Sequence, residues 1–195
     1  MSVTLKSAMS CERKLLLCLL IPLLRCIAAD TPRPEVTRKT LDAPIEIQGY
    51  PCAKGYAFFY SDGRLNQCSV SRETAFGEVR VPSGSLINLR LDGKPQYAML
   101  SHNANILSYR CRGGSWLGPG EGAMTAFYPS GKLKECFLAG DQDIQGVPCM
   151  GGSFFADVFG GGSGTFFYES GKLRSCKLSK DFGNLRRGEH IFQVR

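Results

Sequence analysis

The chain has 195 residues, 43% of them hydrophobic and 21% charged, and a net charge of +7 at pH 7. That length suits one domain with a core of its own. The basic residues are scattered apart from Arg186-Arg187, and no basic stripe is interleaved with aromatics, so a nucleic-acid partner is not expected.

The N-terminus carries Lys6, Arg13 and Lys14, then the apolar run Leu15–Leu24, then Arg25-Cys26-Ile27-Ala28-Ala29 before Asp30. A basic start, a short apolar segment and small exit residues predict a secretory signal peptide over 1–29. The run is about half the ~20 residues that span a bilayer, so no stable transmembrane segment is expected after signal removal. Leu23-Leu24-Arg25-Cys26 resembles a lipobox, with Arg25 where a small residue is required. Acylation at Cys26 is the alternative form of export. Losing residues 1–29 removes Lys6, Arg13, Lys14, Arg25 and Glu12, which takes the net charge from +7 to +4.

Residues 30–42, with Pro32 and Pro34, read as an extended lead-in. Repeats follow. Phe59-Tyr60-Ser61-Asp62-Gly63-Arg64-Leu65-Asn66-Gln67-Cys68 is matched by Phe127-Tyr128-Pro129-Ser130-Gly131-Lys132-Leu133-Lys134-Glu135-Cys136. A third copy is Phe167-Tyr168-Glu169-Ser170-Gly171-Lys172-Leu173-Arg174-Ser175-Cys176. Leu91-Asp92-Gly93-Lys94 is a degenerate fourth. A shorter element precedes the good copies: Ile47-Gln48-Gly49-Tyr50-Pro51-Cys52, Ile144-Gln145-Gly146-Val147-Pro148-Cys149 and, more loosely, Leu107-Ser108-Tyr109-Arg110-Cys111. The turn glycines Gly63, Gly93, Gly131 and Gly171 delimit four units, 43–72, 73–102, 103–140 and 141–180. Aromatics followed by Asp-Gly or Ser-Gly and then Lys/Arg-Leu signal a β-hairpin, with glycine supplying a positive φ. A two-residue turn would set Leu133 opposite Tyr128, and a three-residue loop with a glycine bulge would set it opposite Phe127. Both registers fit the sequence. A lone hairpin is barely stable in water. The expected fold is therefore all-β: serial antiparallel hairpins building a twisted, elongated sheet. The glycine-rich stretches 112–122 and 150–164 read as loops, and the tail 181–195 as polar, basic and frayed.

Nine cysteines are present, three of them in the leader. The remaining six, Cys52, Cys68, Cys111, Cys136, Cys149 and Cys176, point to disulfides in an oxidising compartment. The degenerate unit lacks both the early and the late cysteine. Joint loss predicts pairing within units: Cys52–Cys68, Cys111–Cys136 and Cys149–Cys176. Pairing between neighbouring units is the alternative. A zinc site would want closely spaced cysteines with histidine, and only His102 and His190 exist. No metal and no cofactor are expected.

The pattern Tyr-x-(Ser/Asp)-Gly-(Lys/Arg)-Leu at residues 59–65, 127–133 and 167–173 resembles the MORN repeat and its bacterial, antitoxin-like variants. The resemblance implies antiparallel sheets used as scaffolds, binding modules or partner proteins. The units here are longer and unequal, lack the frequent Gly-x-Gly start, and carry paired cysteines.

Catalytic sets are hard to assemble. Ser101-His102 are neighbours and would face opposite ways on a strand. Gly161-Gly162-Ser163-Gly164-Thr165 fails the nucleophile-elbow pattern at its last position. Asp141 and Asp143 sit in a polar turn, and Gly160-Gly161-Gly162 lacks the Lys and Ser/Thr of a phosphate loop. Stacked aromatics can bind sugars, although Trp116 is the single tryptophan. The expected function is a non-enzymatic exported module that binds an unknown protein or envelope partner through its sheet face or glycine-rich loops. The alternative is an exported hydrolase of cell-wall or other glycans.

Overall fold

The computed structural model describes residues 34–114, 123–152 and 164–193, and among these the chain is strand, turn and irregular segment without a helix. The leader, Cys26, Trp116, Gly160–Gly162 and most of both glycine-rich stretches lie outside the described residues.

Strand β1 (Val36–Leu41) comes first. The first unit holds β2 (Ile45–Ile47), β3 (Tyr50–Tyr60) and β4 (Leu65–Val70). The second holds β5 (Thr74–Phe76), β6 (Val79–Val81), β7 (Leu86–Leu89) and β8 (Pro95–Met99). The third holds β9 (Ala104–Ile106), β10 (Tyr109–Cys111), β11 (Met124–Phe127) and β12 (Leu133–Cys136). The fourth holds β13 (Gln142–Ile144), β14 (Val147–Cys149), β15 (Thr165–Phe167) and β16 (Leu173–Lys177), and β17 (His190–Phe192) ends the fold. Each unit is thus a short hairpin followed by a long one. The long hairpins join one antiparallel sheet in the order β1-β3-β4-β7-β8-β11-β12-β15-β16-β17, with β2 on the start of β3. The other short hairpins, β5–β6, β9–β10 and β13–β14, are separate two-stranded ribbons.

The register follows from the loops. Tyr128 N donates to Lys132 O at 2.8 Å, Gly131 N donates to Tyr128 O at 2.8 Å, and Gly131 has φ +85°. This is the three-residue loop with a glycine in the left-handed region. Leu133 therefore stands opposite Phe127 and not Tyr128, and a bulge at Lys134 follows. Phe59–Leu65, Leu89–Pro95 and Phe167–Leu173 repeat the arrangement. The degenerate unit keeps it because Gly93 keeps a φ of +79°.

Both ends of the fold add a strand to the sheet. The tail expected to fray supplies β17, which pairs with β16 through Cys176–Ile191. The lead-in supplies β1, paired with β3 from Val36–Tyr60 to Leu41–Gly55. The sheet therefore runs past residues 43–180 on both sides.

One sheet face is the core. Alternation puts Ala57, Cys68, Ile87, Ala98 and Thr125 in one row across neighbouring strands, continued by Cys136, Thr165, Cys176 and Ile191. The short hairpins supply Phe76, Val81, Ile106, Ile144 and Val147 to the same apolar cluster. Three disulfides cross it: Cys52–Cys68, Cys111–Cys136 and Cys149–Cys176, with Cα atoms 5.7–5.8 Å apart. The last two fasten a short hairpin to the sheet. In the second unit the matching places are held by Val81 and Ala98, both fully buried. There two buried apolar residues of the core stand where the other units have the sulfur bridge.

Units are also linked edge to edge. Tyr60 Oη donates to Leu89 O at 2.8 Å, Tyr128 Oη to Phe167 O at 2.8 Å, and Tyr168 Oη to Gln193 O at 2.6 Å. Each tyrosine reaches a carbonyl at the same position of the next unit, or of the strand that ends the sheet.

Candidate functional site

The residues singled out for chemistry are engaged in structure. All six cysteines are fully buried and bonded to sulfur, so none offers a thiol. Ser101 and His102 do meet, with Oγ 3.0 Å from Nδ1, because they lie in a bend and not on a strand. Ser101 Oγ spends its one proton on Ser83 O at 2.7 Å. The Ser83 carbonyl thus competes with the His102 ring for that proton. Asp141 accepts from Gly151 N at 2.9 Å and Asp143 from Gly146 N at 2.8 Å. Asp143 closes the β13–β14 turn, and Asp141 ties the start of that hairpin to the segment after it. Arg186 and Arg187 gather on Asp181, through Nη1 at 3.0 Å and the backbone N–H at 2.8 Å, which holds the Asp181 carboxyl below its usual range. Among the described residues no cluster of His, Cys, Asp and Glu is placed to hold a metal, and no helix is long and apolar enough to cross a membrane.

The sheet face opposite the core carries mixed chemistry. One register row runs Phe58, Gln67, Asn88, Tyr97, Ala126, Glu135, Phe166, Ser175 and Phe192. Beside it runs Ser69, Leu86, Met99 and Met124. Phe58, Gln67, Tyr97, Glu135 and Phe166 are half-buried, Ala126 and Ser175 are buried, and Phe192 is largely exposed. Asn88 is nearly buried and reaches Asn66 Oδ1 and Gln67 Oε1 at 3.4 and 3.5 Å. Glu135 sits against Gly164, where a Cβ would run into its carboxylate. Burial pushes the Glu135 carboxyl up, and Lys134 pulls it partly back.

A second recess lies where short turns meet long loops. In the first unit Gln48, with φ 51°, folds its amide onto the neighbouring loop: Nε2 donates to Gly63 O at 3.2 Å and Oε1 accepts from Leu65 N at 3.1 Å. Gln145 repeats this with Gly171 O and Leu173 N, both at 3.0 Å. In the third unit Leu107 takes that position. There a cleft of about 120 Å³ opens between Leu107, Tyr109, Leu133 and Phe167, with Lys132, Glu78 and Ser170 on its rim. Tyr109 stacks on Phe167 at 4.7 Å. The glutamine bridges were visible as residues of a repeated element, but nothing in the sequence said that their side chains would fold back.

No family model, no curated protein and no solved structure matches the chain.

Proposed function

We propose that the protein is an exported binding or scaffold module that holds a protein or envelope partner on its open sheet face. The carrying observation is the register row from Phe58 to Phe192. It lines up aromatic, amide and hydroxyl groups across consecutive strands, on the face away from the disulfides. Such a row offers stacking surfaces with hydrogen-bonding groups between them, which suits an extended partner. The non-enzymatic part of the reading is supported by how Ser101, His102, Asp141 and Asp143 spend their hydrogen bonds. Export is supported by the leader composition and by three disulfides, which persist in oxidising compartments. The repeat resemblance adds a precedent for hairpin arrays used as partner surfaces, and nothing about which partner.

The test is capture of a saturable partner from envelope extract by the disulfide-bonded protein, compared with Tyr97→Ala and Phe166→Ala. Loss of capture in these variants, with unchanged stability, supports the reading. Capture that is indifferent to both counts against the open face. A hydrolase acting on glycans is the second reading, favoured by Glu135, whose raised carboxyl is the kind a general acid needs. Turnover of a glycan panel that disappears in Glu135→Gln would support it.

A further inference from the structure

The four short turns are variations on one element, and comparing them isolates what the third unit lacks. Gln48 and Gln145 both satisfy the N–H of the leucine that opens the returning strand of a long hairpin. Leu107 has nearly their backbone, with φ 56° against 51° and 54°. Its side chain has no polar atom, and it is 55% exposed. A left-handed backbone is costly for leucine, and here no side-chain bond offsets it.

Two groups are consequently left beside the cleft. The N–H of Leu133, equivalent to those of Leu65 and Leu173, takes no side-chain acceptor among the described residues. The ammonium of Lys132 makes no ion pair among them. The carbonyl that a glutamine amide would seek, Gly131 O, already accepts Glu78 N at 3.2 Å. What remains is a backbone donor and a cation next to the apolar walls of Leu107, Tyr109 and Phe167. An amide would meet a Gly131 carbonyl that already accepts one bond, and it would leave the Lys132 ammonium without a counter-charge. A group that only accepts, carries negative charge and hangs from a short apolar stem would satisfy both donors. From this we infer that the cleft beside Leu107 is a binding site for a carboxylate on a short aliphatic stem, occupying the place of the missing glutamine side chain. The volume of about 120 Å³ equals roughly four water molecules, which suits the end of a glutamate or a short dicarboxylic acid. Glu78 on the rim is the internal competitor. The site does not depend on the open sheet face.

The test is an amide-resolved NMR titration of the disulfide-bonded protein with glutarate, with glutaramide as the neutral control, and with a short peptide carrying one glutamate. The expected result is a saturable shift at the amides of Leu133, Lys132 and Gly171 with a carboxylate probe and none with glutaramide. Lys132→Met weakens binding about tenfold, as loss of one charge-assisted contact would. Leu107→Gln, which refills the place from within, abolishes binding, whereas Leu107→Ala retains it. Tighter binding of the peptide assigns the site to a chain-borne carboxylate, and tighter binding of glutarate to a free acid. No saturable shift at Leu133 with either carboxylate, an equal response to glutaramide, or unchanged binding in Leu107→Gln overturns the inference.

Discussion

Arg90 donates from Nη2 to the carbonyl of Phe127 at 3.2 Å, in the place where Tyr60, Tyr128 and Tyr168 each donate a hydroxyl to the following unit. The degenerate second unit thus keeps the link between neighbours with a different residue. At the start of the array Thr37 Oγ1 comes within 3.5 Å of Phe59 O, the matching carbonyl of the first unit. The sheet is a chain of similar joints, each centred on one carbonyl, and at Leu89 O the Asn66 amide adds a second, longer bond at 3.4 Å.

Those joints should be measurable singly. Tyr128→Phe removes a hydroxyl bonded at 2.8 Å and leaves Phe167 O without that donor. The expected cost is about 1 kcal/mol, read as a lower urea midpoint at unchanged slope. Arg90→Tyr should be tolerated better than Arg90→Ala, because only the former restores a donor at the joint.

Among the described residues the core contains two hydroxyls without partners, Thr125 Oγ1 and Thr165 Oγ1, in residues 1% exposed on either side of Cys136 in the core row. A buried donor with no acceptor costs about 1–3 kcal/mol. Valine has nearly the same shape and no such requirement. Thr165→Val should therefore raise the unfolding free energy, by about 1 kcal/mol. A lowered urea midpoint would mean that the hydroxyl has a partner such as a buried water.

Val81 and Ala98 occupy the places that the other three units give to cystine. Replacing both with cysteine should produce a fourth disulfide on oxidation, seen as an intact mass two hydrogen atoms lighter than the thiol form. The added stability is expected to reach roughly 3 kcal/mol in the chain-entropy description. Persistent free thiols at both positions would show that the second short hairpin sits differently from β10 and β14.

Glu135 gives a pH signature of definite sign. Its folded-state carboxyl is raised above the ordinary value of 4.5 because burial penalises the charged form. Between the unfolded and the folded values the folded state holds more protons than the unfolded one. Stability contributed by this group is therefore full below the unfolded value and declines as pH rises through the folded one. Unfolding free energies measured against pH should show this decline in the wild type, and Glu135→Gln should flatten it. Asp62 and Asp181 act oppositely: their carboxyls are lowered by Arg64 and by the Arg186–Arg187 segment. Both are fully exposed, so their effect is small and salt-sensitive.

The long hairpins and the cysteine pattern were legible in the sequence because their signals are local. A glycine at a fixed offset from an aromatic pair defines a loop, and joint loss of two cysteines speaks for a bond between them. The register was not legible, because the choice between Phe127 and Tyr128 opposite Leu133 rests on whether the loop holds three residues or two, and the sequence fits both. The short hairpins were seen as repeated strings but not as turns, since Gln48 and Gln145 are not turn formers by habit. Phe76-Gly77-Glu78-Val79 escaped notice because its glycine is displaced by one position. Strands β1 and β17 carry no repeat motif. They are strands because a neighbouring edge accepts them, a tertiary fact that no local pattern announces. The same holds for the cleft, which exists through what Leu107 omits.

Peptide mapping of the unreduced, secreted protein by mass spectrometry puts the serial, self-closed units to the most direct test. The expected spectrum contains a mature N-terminus near Asp30 and the linked pairs Cys52–Cys68, Cys111–Cys136 and Cys149–Cys176, with no free thiol among those six. Bridges that join one unit to the next, or these cysteines recovered reduced from native material, would contradict it.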